Sequence, residues 1–277
     1  MTDIATVPAR LELVRSALFL PASNARAVAK ARTLPADLVI LDLEDSVAED
    51  AKLDALDAAI AAAAEGGFPG LLAIRINSAG TVWHDRDVAA ITRAAGVDLV
   101  VVPKVEAATG ISALATGLQR SVLTMIETPT GVLNAPAIAA AQGVAGLIVG
   151  PNDLSAALRL PPGAPRASLS YALQAILLAA RASGVVALDG VWNRLDDPEG
   201  FEAECREGRT LGFDGKTLIH PNQVEACNRL FSPDASEVEE ARALIAAANG
   251  GAERFRGRMV ETMHVDTARR LLARAGN

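Results

Sequence analysis

Acidic residues collect where short apolar runs end. The run 38–43, which carries Asp42, leads into Glu44 and Asp45; the run 122–126 leads into Glu127; the run 147–150 leads into Asn152 and Asp153. Arg75 and Asn77 follow the run 71–74, Lys104 follows 99–103, Asp189 follows 185–188 and His220 follows 214–219. A desolvated carboxylate needs a cation or donors, so runs of this kind read as strands whose ends converge on one charged site. Glu127 and Asp153 close two consecutive runs, and neighbouring strands lie about 4.8 Å apart. Two carboxylates so placed can share one hard cation, with waters and a substrate oxygen completing a magnesium shell. Glu44 and Asp45 would hold that cation's waters. The other reading is a set of strand-end ion pairs with Arg75 and Lys104. So many acids without a cation would repel one another, which favours the metal.

Arg75 should point into the site, where its planar fork suits a carboxylate or a thioester carbonyl. The other reading makes it a structural partner for Glu44 or Asp45. Asn152 joins Arg75 as a substrate-binding candidate. Arg26 and Lys30 are four apart and share a helix face; they grip a phosphate-bearing ligand or form a solvated face. His220, before Pro221, reads as turn chemistry, and His84 and His264 as packing or surface residues. Neither a Gly-x-Ser-x-Gly elbow nor a P-loop is present.

The elements that must position these residues alternate. Strands are expected at 16–20, 38–43, 71–76, 99–103, 122–126, 146–150, 185–188 and 214–219. Helices are expected at 48–64, 87–95, 105–118, 135–142, 170–183, 199–211 and 222–231, with another after Asn24 or Ser23 as its cap. Eight such units make a parallel sheet with right-handed crossovers, closed into a (β/α)8 TIM barrel over residues 1–231. An open doubly wound sheet is the runner-up, but residues 19–24 lack the glycines of its phosphate turn. Residues 232–277 form a C-terminal helical extension: a helix at 236–248, an Asn249-Gly-Gly251 hinge, a basic segment and a last helix to Ala275. The hinge suggests a tail that leaves the core and packs on a neighbouring subunit. Loops 128–135 and 160–165 are expected to shape the mouth.

The chain has 277 residues, 51% hydrophobic but only 3% aromatic, which suits buried parallel strands wrapped by Ala-rich helices. A net charge of −7 argues against nucleic acid. No apolar run is long enough to span a bilayer, and residues 1–13 lack a signal-peptide profile. Cys205 and Cys227 read as free thiols, consistent with a cytoplasmic protein.

Seven segments resemble, in order, the citrate lyase beta-subunit family within the HpcH/HpaI aldolase and malyl-CoA lyase group. They are Arg15-Ser-Ala-Leu-Phe-Leu-Pro21, Leu41-Asp-Leu-Glu-Asp-Ser-Val47, Arg75-Ile-Asn77, Pro103-Lys104, Ile126-Glu-Thr128, Gly150-Pro-Asn-Asp153 and 212–223. The resemblance implies a magnesium-dependent lyase that cleaves a carbon–carbon bond of a 3-hydroxyacyl-CoA of the citryl-, malyl- or citramalyl-CoA type. It implies Glu127 and Asp153 as metal ligands, Arg75 and Glu127 on the substrate, and Lys30, with Arg26, on coenzyme A. It also implies a homo-oligomer, a trimer or hexamer, in which a tail acid serves a neighbouring site. The family carries Asp there and this chain carries Glu261, one methylene longer.

Three other functions fit the same residues. One is a thioester hydrolase with the same metal site. Another is a Schiff-base aldolase using Lys104 or Lys216. The third is a partner-dependent or non-catalytic subunit.

Overall fold

The computed structural model describes residues 6–248, 251 and 253–276. Eight parallel strands form a closed barrel in sequence order: β1 (Ser16–Pro21), β2 (Leu38–Asp42), β3 (Leu71–Arg75), β4 (Leu99–Val102), β5 (Ser121–Ile126), β6 (Val144–Val149), β7 (Val186–Asp189) and β8 (Gly215–Leu218). Pairing of Ala17 with Thr217 closes the ring. The surrounding helices are α1 (Thr6–Leu11), α2 (Ala25–Ala31), α3 (Lys52–Glu65), α4 (His84–Arg93), α5 (Ile111–Leu118), α6 (Pro129–Ala139), α7 (Pro151–Ala157), α8 (Ser170–Ser183), α9 (Pro198–Leu211) and α10 (Val224–Phe231). The expected (β/α)8 barrel is therefore the fold.

The strands bury both faces, so alternate residues enter two cores. Leu38, Ile40, Leu71, Ala73, Leu99, Val101, Leu123, Met125, Ile148 and Leu188 fill the barrel interior. Val39, Leu41, Leu72, Ile74, Val100 and Leu147 face the helix layer. Val7 and Leu11 of α1 join the interior core. This short helix carries little sequence signal and was not expected.

One helix starts earlier than its pattern suggests and another was not expected, and a proline opens each. Thr128 caps α6 by accepting from the Gly131 N–H, with Pro129 in the first turn. Residues 129–135, expected as loop, are therefore helical. Pro151 likewise opens α7 directly after Gly150, so Asp153 lies in a helix's first turn rather than at a strand end. Asn24 caps α2 as expected, accepting from the Ala27 N–H at 3.1 Å.

Beyond the barrel, α11 (Ala235–Ala247) leads to a hairpin of β9 (Glu253–Phe255) and β10 (Arg258–Val260) and then to α12 (Thr262–Ala275). Ala241, Leu244, Val260, Val265 and Ala268 give this tail a small core. Its last helix does not leave the barrel as the expected hinge suggests. Arg274 Nη1 donates to the Glu12 carbonyl at 3.0 Å and Nη2 donates to the Asp214 carbonyl, both beside the starts of β1 and β8. The expected hinge at Asn249 and Gly250 lies outside the described residues. Among those described, no helix is long and apolar enough to cross a membrane.

Candidate active site

The strand ends are organised by one inward-facing pair. Asp42 and Arg75 end β2 and β3 and are register partners. They continue the inward parity of Leu38 and Ile40, and of Leu71 and Ala73. Arg75 Nε and Nη2 meet Asp42 Oδ1 and Oδ2 at 2.6 and 2.7 Å, a bidentate pair. Asp42 also accepts from the Glu44 N–H and from the Ser46 N–H and hydroxyl. Burial alone would raise the Asp42 pKa, but Arg75 and these donors outweigh it and hold the carboxyl below its ordinary range. Burial alone would lower that of Arg75, and the acids around it reverse this. Arg75 stacks on Phe19 at 5.0 Å and lies 3.1 Å from Glu44 Oε2 and 3.6 Å from Asp45 Oδ2. Its principal partner is therefore Asp42, which was not among the expected site residues. Strand parity is the signal that would have found it.

Around this pair sits a group of further acids. Lys104 Nζ approaches Glu44 at 2.7 Å, Asp45 at 3.2 Å and Asp153 at 3.7 Å. Its backbone N–H donates to Glu127 Oε1 at 2.7 Å. Glu127 continues the inward series of Leu123 and Met125, and Gly150 faces it from the end of β6. A Cβ at Gly150 would lie 2.4 Å from Glu127 Cβ and Oε2, so the glycine makes room for this carboxylate. Burial first, and then the charges of Glu44 and Asp153, push Glu127 up to about 7, against the opposing Lys104 N–H. Glu44 Oε2 and Asp153 Oδ2 are buried without a hydrogen bond. A hard divalent cation on Glu127 and Asp153 fits the Asp153 oxygen left without a hydrogen bond and the repulsion that adds to burial at Glu127. Among the described residues no group of three or more His, Cys, Asp or Glu is set to hold a metal, so waters and substrate would fill the remaining positions.

A cavity of about 500 Å³ opens at the barrel mouth beside these groups. Its polar wall includes Asp42, Asp45, Arg75, Glu127, Asn152 and Asp153; Phe19, Pro21, Val149 and Ile219 stand among its apolar lining. Asn152 is exposed at the rim, where it exchanges hydrogen bonds with Asn193. Beneath the acidic turn, Lys52 Nζ donates to the Leu43 and Glu44 carbonyls at 2.8 and 2.6 Å and lies under Trp83. Sequence reasoning missed this lysine, because only the folded turn brings α3 against residues 43 and 44.

Other expected residues fall elsewhere. Arg26 and Lys30 are exposed on α2 and are not part of the cavity wall. Glu261 is exposed before α12, its N–H bonded to His264 Nδ1, and it does not line its own chain's cavity. Asn77 turns to Asp87 at 2.7 Å. Asp189 is buried facing the helix layer, on Lys216 and Arg166. Lys216 is fully buried and its ammonium is kept charged: burial opposes the charge, and Asp189 and Glu204 outweigh burial. Lys104 is held charged in the same way by Glu44 and Asp45. Neither lysine is an amine free for Schiff-base chemistry. His220 accepts from the Asn222 N–H at 3.2 Å, as turn chemistry requires.

Comparisons with known proteins agree over most of the chain. A family model described as HpcH/HpaI aldolase/citrate lyase matches residues 15–221. A (3S)-malyl-CoA thioesterase of Cereibacter sphaeroides is 41% identical over 269 residues, covering 94% of this chain and 94% of that protein. A citrate lyase subunit beta-like protein of Mycobacterium tuberculosis is 37% identical over 266 residues, with 94% of each covered. Among solved structures, CitE of Mycobacterium tuberculosis in complex with magnesium, acetoacetate and coenzyme A superposes with a TM-score of 0.81. That match is at 35% identity and covers 96% of this chain and 100% of that one.

Proposed function

The chain belongs to the HpcH/HpaI aldolase/citrate lyase family, and from that premise we propose that it is a magnesium-dependent hydrolase of a small hydroxydicarboxyl-CoA thioester of the malyl-CoA type. The observation that carries the reading is the pair Glu127, a buried carboxyl pushed up to about 7 by burial and neighbouring acids, and half-exposed Asp153, whose Oδ2 has no hydrogen bond, beside an arginine fixed by Asp42. The magnesium and coenzyme A of the CitE complex support the same ligands here. Hydrolysis is the first choice because relatives 41% identical over almost their full length carry the thioesterase name.

Glu127 and Asp153 would hold magnesium, which supplies Lewis-acid polarisation of a substrate oxygen. Glu44 and Asp45 would orient its waters. Arg75 is held in place by its Nε and Nη2 on Asp42, and it would bind the substrate carboxylate or the thioester oxygen. Asn152 would bind substrate at the rim. Phe19, Val149 and Ile219 would shield the reacting carbonyl from bulk water. Arg26 and Lys30 would hold the coenzyme A phosphates, and Glu261 would take part in proton transfer in the site of a neighbouring chain within a homo-oligomer.

A second reading is cleavage of the carbon–carbon bond to an acyl-CoA and a keto acid. The family description and the Gly257-to-Glu261 segment favour it. Malyl-CoA, citramalyl-CoA and citryl-CoA offered to the purified protein separate the two, with acid and thioester products resolved by chromatography. Free coenzyme A plus intact hydroxy acid, lost with EDTA, is the expected result. Acyl-CoA plus keto acid would replace hydrolase by lyase. No turnover of any of the three, with magnesium present, would overturn the reading.

A further inference from the structure

Lys104 has a strained backbone at the centre of this site. Its φ is +51°, a left-handed conformation that side chains disfavour. The turn has two results. It aims the Lys104 N–H at Glu127 Oε1, and it sends the side chain back across the mouth. There one ammonium meets three carboxylates from two separate segments, Glu44 and Asp45 after β2 and Asp153 in α7. A glycine would present the same N–H without strain, so the ammonium is what the lysine adds. Its contacts are graded. Glu44 and Asp45 are hydrogen-bonded at 2.7 and 3.2 Å, while Asp153 Oδ2, 3.7 Å away, has no hydrogen bond of its own. The charge that Asp153 lacks is thus only partly supplied.

We propose that Lys104 is the resident cation of the metal-free site: its ammonium neutralises Glu44, Asp45 and Asp153, and it gives up Asp153 when a divalent cation binds there and at Glu127. This rests on the metal reading above. A positive charge this close to a metal ligand also repels the incoming ion. Lys104 therefore steadies the empty site and weakens the filled one, which keeps metal binding reversible.

The test titrates magnesium into the full-length wild type, K104M and K104G by calorimetry, and follows thermal unfolding of each with and without magnesium. Both variants should bind magnesium about tenfold more tightly. Without metal, K104M should melt several degrees below wild type, and saturating magnesium should close that gap. K104G keeps the N–H and relieves the turn, so an equal gain in affinity in both variants assigns the effect to the ammonium. Wild-type affinity in the variants, or the same loss of melting temperature with and without magnesium, would make Lys104 an ordinary ion pair and overturn the placeholder alone. No magnesium binding by any of the three proteins would overturn the metal reading along with it.

Discussion

Two charged clusters stand at the upper ends of the strands, and they differ in balance. At the mouth, Asp42, Glu44, Asp45, Glu127 and Asp153 gather around Arg75 and Lys104, with Lys52 beneath the turn. Between β7, β8 and α9, Asp189 and Glu204 share Lys216 and Arg166, with Glu207 at the edge. Each cluster has a glycine that makes room for an acid: Gly150 for Glu127, and Gly208, whose Cβ would lie 2.6 Å from Asp189 Oδ2. In the second cluster Asp189 and Glu204 each pair with Lys216 and Arg166, Arg166 Nε lies 3.4 Å from Glu207 without a hydrogen bond, and none of these residues lines the mouth cavity. The first keeps Asp153 Oδ2 without a hydrogen bond on a residue of the cavity wall. Charge in excess of local partners marks a place built for a ligand, whereas matched charge marks a place built for the fold.

That contrast can be broken at either end. The largest effect is expected from Glu127→Gln, which should cut turnover about a thousandfold while the protein stays folded, since it removes a charge the metal-free site repels. Steady-state kinetics beside circular dichroism check it, and a variant that unfolds would undo the contrast. Asp189→Asn should do the opposite, costing about 3–5 kcal/mol by leaving Lys216 and Arg166 short of an acid in the interior. Urea titration measures this, and a loss below 1 kcal/mol would show the second cluster to be dispensable.

Asp42→Asn should cost about 3 kcal/mol at neutral pH. Because the folded pKa of Asp42 lies below its ordinary value, its stabilisation is complete above about pH 4 and is lost as pH falls through the folded pKa. The gap between wild type and variant should therefore shrink in acid, as pH-resolved unfolding would reveal; a constant gap would place its role elsewhere. Gly150→Ala should push Glu127 aside and weaken magnesium about 10- to 100-fold with little change in fold, read by calorimetry. The smallest effect is expected from Lys52→Met, which takes the ammonium from the Leu43 and Glu44 carbonyls, the second of which keeps the Val47 N–H. It should cost about 1–2 kcal/mol and loosen the Glu44–Asp45 turn, seen as faster amide exchange there.

Much of this was legible in the residues. Apolar runs alternating with helical patterns gave eight strands and the barrel, and acids at strand ends drew attention to Glu44, Asp45, Glu127 and Asp153. The misses share a cause. Asp189 and Asp42 both end strands, but one more or one fewer residue of alternation turns a side chain from the cavity to the helix layer. Asp42 faces in and Asp189 faces out. The start of α6 was set by a Thr-Pro cap rather than by periodicity, and α12 was placed by Arg274 on carbonyls distant in sequence.

By itself the sequence determined the class of fold and the kinds of charge at the mouth, because periodicity and residue type are local properties. Only the tertiary structure decided which charges meet. Strand register set Arg75 against Asp42, Gly150 opened space for Glu127, and a left-handed turn carried Lys104 across to three carboxylates. These pairings join residues far apart in the chain, and their energies depend on distances and burial that no local pattern contains.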